Sequence, residues 1–378
     1  MFFFKTIAFR VLDKYLKRKG VKNDYIRRSF IMSLIKDWRT CNKSTTEKIW
    51  AIKRGFYPNR IDLWGLNEEN YKHYLSDLDY RKIFPLNNRF QIWLDDKITT
   101  RYVFQDGRYK DFMPRYFIFI ENDGFYSYLM DFNQCIEKNA DALINLLKVE
   151  KILALKPLAG SLGIGFIRLE IRGNDIYANN RLVSVNEFDE LKDSLKGYIV
   201  TEYCRQHSQL NRVWSDSECT LRIILARLKN QYGGGEIKPI LSYARFGSSM
   251  SSTTSNLSQG GLGVKFDFET GILDSIFYRK NQFEPSGQTR HEVHPDTHVC
   301  LAGEKLPNWD IVKKGLYELV EYISTLEYFG FDIIITDDGF KICEINSFPA
   351  LDLEQVMFGP IWDNEIAKEF YSNKFHRV

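Results

Sequence analysis

A lysine followed by closely spaced glycines is the first feature of this 378-residue chain that could bind a ligand. Lys156 lies near the end of the apolar run 151–157, and within the next nine residues come Ser161, Gly163 and Gly165. Glycine lets backbone N–H groups approach an anion closely, and lysine adds a positive charge. The spacing is neither GxxxxGK[ST] nor GxGxxG, so it indicates neither a P-loop nor a dinucleotide site. An anion site is one interpretation, and a glycine hairpin with a surface lysine is the other.

Oxygen-bearing side chains are grouped near the C-terminus, in two apolar runs that surround a turn. The segments FDIIIT and FKICEIN flank residues 337–339, which is the pattern of a β-hairpin. A three-residue turn places Asp332 opposite Glu344, and alternation along the strand puts Asn346 on the same side as Glu344. Such oxygen ligands are costly to bury without a cation and suit Mg²⁺. The pattern favours a magnesium site, and a rim of solvated acids is the alternative.

Two other segments are polar at the ends of apolar runs. YIVTEYC ends in Glu202-Tyr203-Cys204, which could offer backbone groups to a purine and a carboxylate to its amino group. The run 247–263 is the longest Ser/Thr/Gly stretch. Because Arg245 precedes it and Asn256 lies near two glycines, we expect a loop that faces an acceptor or a phosphate. A plain surface loop is the alternative.

Three histidines, His291, His294 and His298, have a spacing that suggests zinc. Pro295 prevents a helix there, so we do not expect the three rings to converge on a metal. We expect His294 and Asp296 to shape a substrate loop instead.

The spacing of apolar residues predicts the elements that must position these side chains. Residues 1–85 are predicted to be helical with a polar break at 40–46, and helices are also predicted at 131–150 and 308–329. Strands are predicted at 115–124 and 151–157 and in the segments GFIRLEI, GYIVTEY, CTLRIILARL, KPILSYARF, GVKFDF, FDIIIT and FKICEIN. The order predicts an α+β fold with mostly antiparallel sheets.

Composition excludes several classes of protein. Lys+Arg 52 against Asp+Glu 49 gives a net charge of +3, which is too balanced for a dedicated nucleic-acid binder, so no nucleic-acid partner is expected. Six cysteines without a CxxC pair indicate neither a zinc ribbon nor a redox pair, and they favour reduced thiols in the cytoplasm. No run approaches the ~18 apolar residues of a membrane span.

The N-terminus departs from this balance. Residues 1–30 contain nine Lys/Arg and two Asp. Phe4, Ile7, Val11 and Tyr15 have helical spacing, which predicts a helix, and a peripheral position of that helix on an anionic membrane at the inner face is one interpretation. A helix packed on the body with a solvated basic face is the alternative.

In their order along the chain, these motifs resemble the ATP-grasp superfamily over roughly residues 90–360. Those enzymes clamp ATP between two antiparallel sheets. HPDTH at 294–298, LPNW at 306–309, the EIN strand and ALDLEQ resemble the sugar-transfer-associated ATP-grasp family, which occurs with bacterial capsule and exopolysaccharide synthesis. Two positions differ: His298 stands where that family tends to show glycine, and Glu218-Cys219-Thr220 where it tends to show Asn-Thr.

The resemblance implies how the chain would bind its nucleotide. Lys97 and Lys156 would bind phosphates, beneath a flexible lid formed by Ser161, Gly163 and Gly165. Glu202 and the backbone of Tyr203 and Cys204 would hold adenine, and Glu218 the ribose. The implied cofactors are ATP and one or two Mg²⁺ ions, with the metal held by Asp332, Glu344 and Asn346.

The resemblance also implies catalytic residues and a reaction. Arg222 would neutralise the transferring phosphate, and we add Arg245 and Asn256 as catalytic candidates and His294 and Asp296 as substrate contacts. The implied reaction is ATP-dependent ligation of a carboxylate to an amine (or thiol) through an acyl phosphate. The partners would be a small-molecule or saccharide acceptor, such as a sugar acid, and an amine donor. A dikinase-like phosphotransferase and a non-catalytic partner of a glycosyltransferase complex are the alternatives.

The same resemblance divides the chain into four parts. Residues 1–88 form a helical region, 89–150 an N-terminal α/β part of the core, 151–204 the lobe with the glycine lid, and 205–378 the catalytic lobe with the metal site.

Overall fold

Two seven-stranded antiparallel sheets form the body of the protein, and helices cover them. The computed structural model describes residues 2–158, 163–230, 234–251, 253–280 and 288–376, with the backbone alone at 2–8 and 288. Within these ranges no helix is both long and apolar enough to cross a membrane. The predicted α+β architecture is confirmed.

Helices build the N-terminal region, as predicted for residues 1–85, and two more follow directly after it. Their bounds are α1 Phe2–Arg18, α2 Asp24–Thr40, α3 Thr45–Lys53, α4 Arg60–Leu63, α5 Asp77–Lys82, α6 Ile92–Asp95 and α7 Lys97–Val103. The predicted polar break is the gap between α2 and α3, where Ser44 and Glu47 form a reciprocal cap at the start of α3. Asn23 and Ser76 cap α2 and α5 in the same region.

Sheet one has the strand order β2-β1-β7-β3-β4-β5-β6. Its bounds are β1 Tyr116–Ile120, β2 Tyr126–Tyr128, β3 Ile152–Pro157, β4 Ile167–Arg172, β5 Asp175–Ala178, β6 Arg181–Val183 and β7 Tyr198–Glu202, with helices α8 Ala142–Glu150 and α9 Val185–Ser194. Leu143, Leu146 and Leu147 of α8 pack on Leu153 and Val200 of the sheet. This sheet spans residues 116–202, so the predicted domain boundary at 150 lies inside it.

The predicted helix at 131–150 begins eleven residues late, since α8 starts at Ala142. The side chains of Asn133 and Asn139 accept hydrogen bonds from the backbone N–H groups of Cys135 and Asp141. These local bonds stabilise turns in place of a helix, which explains the difference.

Sheet two has the strand order β12-β11-β10-β9-β8-β13-β14. Its bounds are β8 Thr220–Lys229, β9 Gly235–Phe246, β10 Leu262–Phe266, β11 Leu273–Lys280, β12 Gln288–His291, β13 Tyr328–Thr336 and β14 Gly339–Asn346. Helix α10, Trp309–Tyr322, buries Val312, Leu316 and Leu319 against one face of the sheet. The helix predicted at 308–329 therefore ends earlier, because Tyr328 already pairs with Ala226 of β8.

The hairpin of β13 and β14 differs from the prediction at its turn and agrees with it at Asp332. Pairing continues up to a two-residue turn at 337–338 rather than a three-residue turn. A register shift next to Asp332 then leaves Cys343 as an extra residue. This bulge restores the predicted pairing of Asp332 with Glu344.

The other face of sheet two is covered by the two chain ends. Helices α11 Glu354–Phe358 and α12 Glu365–His376 pack there with Leu75, Tyr80 and Leu86 of the N-terminal region. The Tyr80 ring stacks on Phe348 at 4.1 Å, and the Tyr80 hydroxyl donates to the carbonyl of Pro349 at 2.7 Å. The N-terminal region thus holds the segment that follows β14.

Asn87 joins this region to β13, and its removal should destabilise the fold. Its side chain is buried, donates to the carbonyl of Tyr328 at 2.7 Å and accepts from the N–H groups of Glu327 and Tyr328 at 2.8 and 3.0 Å. Asn87→Ala should lower the free energy of unfolding by about 2–4 kcal/mol, because buried backbone groups lose their partners. Urea unfolding measures this, with Asn373→Ala at an exposed position as the control. Equal stability of the two variants would contradict the role of Asn87.

Candidate functional site

Four polar side chains lie in one row across sheet two. Asp332 on β13 is opposite Glu344 on β14 and opposite Arg222 on β8. Arg222 is in turn opposite Tyr243 on β9. Opposed residues share a face of a sheet, and neighbouring strands are about 4.8 Å apart, so the row is roughly 14 Å long.

Cations hold both carboxylates of this row. Asp332 Oδ1 lies 2.7 Å from Arg222 Nε and 2.9 Å from Arg245 Nη2. Glu344 Oε1 lies 3.3 Å from Lys97 Nζ. Asp332, Arg245 and Lys97 are each more than nine-tenths buried, so these charges interact with little solvent screening. The structure therefore brings together five residues that the sequence analysis named from four separate segments.

The two carboxylate oxygens of Asp332 differ in their hydrogen bonding. Its Oδ1 is buried and close to both guanidinium groups, yet none of its described neighbours forms an aligned hydrogen bond with that atom. Only Oδ2 accepts an aligned bond, from Arg222 Nη2 at 3.2 Å. Asn346, two residues after Glu344, lies opposite Gly330 and on the same face. Two carboxylates and an amide in this arrangement suit Mg²⁺, so the donor set fits the predicted metal site.

Lys97 is placed by two short helices that pack on β14. Asp96 caps α7 by accepting from the N–H of Thr99 at 2.7 Å, and Lys97 is the first residue of that helix. Asp95 accepts from the backbone N–H and the hydroxyl of Ser347, at 3.1 and 2.8 Å, directly after β14. These bonds fix Lys97 beside the row.

Lys156 belongs to sheet one. It lies opposite Ile199, on the face that also carries Ala154 and Thr201. The Cys204 thiol lowers the pKa of the Cys343 thiol, and the Lys156 ammonium lowers it further. Cys343 directly precedes Glu344, so Lys156 belongs to the electrostatic surroundings of the row.

These charges leave the site with an excess of positive charge. Lys97, Lys156, Arg222 and Arg245 are four cations, and the carboxylates beside them are Asp332, Glu344 and Glu354. Excess positive charge in a partly buried site favours an anionic ligand.

Glu202 and Glu218, the residues predicted to contact adenine and ribose, accept hydrogen bonds from different parts of the backbone. Glu202 lies opposite Leu153, on the core face of sheet one, and its carboxylate accepts from the Arg115 backbone N–H at 3.0 Å. Its predicted contact with adenine stays a prediction. Tyr203 lies beside Glu218, whose carboxylate also accepts from the Gln206 N–H at 2.5 Å, and burial raises the pKa of Glu218.

The predicted lid is described in part, since Ser161 lies outside the described residues. Gly163 and Gly165 have φ of +71° and +79°, a conformation that residues other than glycine rarely adopt. A Cβ on Gly163 would lie 3.3 Å from the Thr254 side chain, so the lid and the 247–261 loop approach each other closely.

The HPDT segment holds the 247–261 loop in place. His294 is buried, and its Nε2 lies 2.9 Å from the carbonyl of Gly247. Asp296 accepts from the backbone N–H and hydroxyl of Ser249, at 3.0 and 2.6 Å. His298 has φ of +58°, a conformation that glycine adopts freely, and glycine is the residue that the family tends to show there. Among the described residues no group of three or more His, Cys, Asp or Glu has the arrangement of a metal site.

The same loop also touches the charged row. Thr220 Oγ1 accepts from Arg245 Nε and lies within hydrogen-bond distance of the Ser255 hydroxyl, both at 2.9 Å. Asn256 caps a turn in this loop by accepting from the Ser258 N–H at 2.9 Å. The described contacts of Asn256 are local, so its catalytic role stays a prediction.

Sequence reasoning missed Tyr243 and Glu354. The Tyr243 hydroxyl donates to Glu354 Oε1 at 2.8 Å, and burial raises the pKa of Glu354 to about 7. Tyr243 lies two residues before Arg245, so strand alternation alone would have placed it on the site face. Glu354 lies in the quoted ALDLEQ segment, but nothing in that pattern shows that the side chain is buried.

Two seven-stranded antiparallel sheets, with cations and carboxylates grouped on one face of the second, agree with the ATP-grasp fold. The family model of sugar-transfer associated ATP-grasp matches residues 80–367, and the chain belongs to that family. None of the curated proteins that were compared matches the sequence.

Solved structures with a similar fold include several ATP-grasp enzymes. The ligase PsnB in complex with a minimal precursor is 12% identical with a TM-score of 0.37, over 78% of this chain and 64% of that one. D-alanine–D-alanine ligase from Bacillus anthracis is 10% identical with a TM-score of 0.36, over 80% and 70%. Biotin carboxylase from Campylobacter jejuni is 10% identical with a TM-score of 0.39, over 80% and 48%. These likenesses are distant, and this chain spans less than two thirds of the PsnB structure.

Asp332 should be important for stability as well as for ligand binding. Asp332→Asn would leave Arg222 and Arg245 without their carboxylate, which should cost about 3–5 kcal/mol in the free energy of unfolding. The control is Glu318→Gln, which breaks a surface pair with Arg108 at 3.0 Å and should cost less than about 1 kcal/mol. Denaturant unfolding compares the two, and an equally small loss in both would show that the buried charges do not depend on Asp332.

Proposed function

We propose that this protein is an ATP-dependent ligase that joins a carboxylate to an amine (or thiol) through an acyl phosphate. The observation that carries the proposal is the set of four cations around the two carboxylates of sheet two. A phosphate-rich ligand would supply oxygen partners to the cations, and a divalent ion would supply a partner to the carboxylates. Family membership supports ATP as the ligand.

The reaction needs no covalent nucleophile from the protein. A carboxylate oxygen of the acceptor attacks the γ-phosphorus, the bond to ADP breaks, and an acyl phosphate forms. The amine then attacks the acyl carbon, phosphate leaves, and the amine loses a proton. Arg222 and Arg245 would hold the transferring phosphate, while Lys97 and Lys156 would orient the phosphate chain.

Asp332, Glu344 and Asn346 would hold Mg²⁺, which neutralises phosphate charge when it is bound. Asp332 has a buried oxygen without an aligned hydrogen bond, and Glu344 is held by one lysine only among the described residues. On this proposal both carboxylates exchange a cationic side chain for the metal. The exchange frees Lys97 and the arginines for phosphate oxygens.

A sugar acid of a surface polysaccharide is the proposed acceptor, and an amino acid or other amine is the proposed donor. The support is the family description, which associates these proteins with sugar transfer. Product analysis with ATP and a panel of uronic acids and amino acids tests the reaction. ADP and phosphate formed together with an amide would support the ligase, whereas AMP and phosphate would support a dikinase-like phosphotransferase.

Lys156 should contribute to nucleotide affinity. Lys156→Ala removes a charge-assisted contact worth on the order of 1.5–3 kcal/mol and should weaken Mg-ATP binding roughly 10- to 100-fold. Lys148→Ala, at an exposed position on α8, is the matched control and should bind as the wild type does. Calorimetry on both folded variants measures the affinity for Mg-ATP. Unchanged affinity in Lys156→Ala would refute the phosphate contact.

Glu344 should matter far more for turnover than for stability. Glu344→Gln keeps the size of the side chain and removes one negative charge from the proposed metal site, so turnover should fall at least about 100-fold. The loss of stability should be smaller than in Asp332→Asn, because the amide oxygen of Gln can still accept a hydrogen bond from Lys97 and the side chain at 344 is one-third exposed. Turnover near the wild-type rate would show that Glu344 does not hold the metal.

A further inference from the structure

The first two helices pack together through one face each. Leu16 of α1 is buried with Ile26, Phe30 and Ile31 of α2, and Leu12 is half-buried beside them. The packed-helix alternative is therefore confirmed for this face of α1. The outer faces of both helices remain available.

Apolar side chains are exposed on these outer faces. On α1, Val11 and Tyr15 are 61% and 42% exposed, and they lie four residues apart. On α2, Tyr25 and Met32 are 76% and 61% exposed, and they lie seven residues apart. Residues at these spacings share one side of a helix, so each helix presents a short apolar stripe to solvent.

Exposed cations surround these stripes, and the nearby acids are either paired with Arg27 or buried. Within residues 9–40, the exposed cations are Arg10, Lys14, Lys17, Arg18, Lys19, Lys22, Arg28, Lys36 and Arg39. The buried Arg27 pairs with both Asp13, at 2.7 Å, and Asp24. Asp24 is the one exposed acid in this range, and Asp37 is buried. The outer surface is therefore positive without interspersed free acids.

We propose that this α1–α2 surface binds an anionic membrane. Its cations suit lipid phosphates, and its exposed Val11, Tyr15 and Met32 suit the boundary between headgroups and acyl chains. Apolar side chains among the cations favour a lipid surface over a nucleic acid, which offers mainly phosphates to an outer basic helix. The same helical region holds the segment after β14 through Tyr80 and Phe348, so binding would keep the site next to the lipid.

Sedimentation of the full chain with vesicles tests the surface. Vesicles of phosphatidylcholine with 30% phosphatidylglycerol should retain the protein at low salt and release most of it in half-molar salt, whereas pure phosphatidylcholine should not retain it. The triple variant Lys17→Gln, Arg18→Gln, Lys19→Gln should reduce partitioning on the order of 100-fold, at about fivefold per cation. A second triple variant tests α2 in the same way and should also reduce partitioning: Arg28→Gln, Lys36→Gln, Arg39→Gln.

The matched control neutralises three exposed lysines elsewhere, Lys196→Gln, Lys314→Gln and Lys368→Gln, and should bind vesicles as the wild type does. Val11→Ser with Met32→Ser keeps the charge and should still reduce binding. Three results would overturn the proposal: equal binding to both vesicle types, equal losses in the control, or competition by duplex DNA as effective as that by anionic vesicles. None of these variants touches the charged row, so failure here leaves the ligase proposal untouched.

Discussion

The carboxylate of Asp332, held by Arg222 and Arg245, is the interaction on which the site depends. Three strands must keep their register for it to form, because Asp332, Arg222 and Arg245 come from β13, β8 and β9. A buried charge without its partner is strongly destabilising. A change of register, or loss of the bulge at Cys343, would therefore destabilise the fold as well as disrupt the site. The same constraint explains why helices α6 and α7 are tied to the end of β14, where they place Lys97 beside Glu344.

The proposed function depends on the excess of cations over carboxylates. Binding of a metal nucleotide would replace ion pairs within the protein by ion pairs with the ligand, and the phosphates would also provide partners for the excess cations. The lid glycines lie close to the 247–261 loop. We therefore expect nucleotide binding to change the mobility of this loop.

Much of this arrangement could be predicted from sequence, for physical reasons that differ by residue. Asp332, Glu344 and Asn346 are local to one hairpin, so alternation placed them correctly even though the turn was one residue shorter than predicted. The Lys97–Glu344 pair could not be found by spacing, because its partners are distant in the chain and meet only through packing. Residues 131–141 were predicted to be helical because the apolar period does not reveal the turns that Asn133 and Asn139 stabilise.

Calorimetric affinity for ATP, measured with Mg²⁺ and with EDTA, tests the central claim most directly. If the carboxylates exchange cationic side chains for a metal, ATP should bind at least about tenfold more tightly with Mg²⁺, since only the metal compensates Asp332 and Glu344 once their partners turn to phosphate. Equal affinities under the two conditions would contradict the account, because the cations would then bind phosphate without releasing the carboxylates.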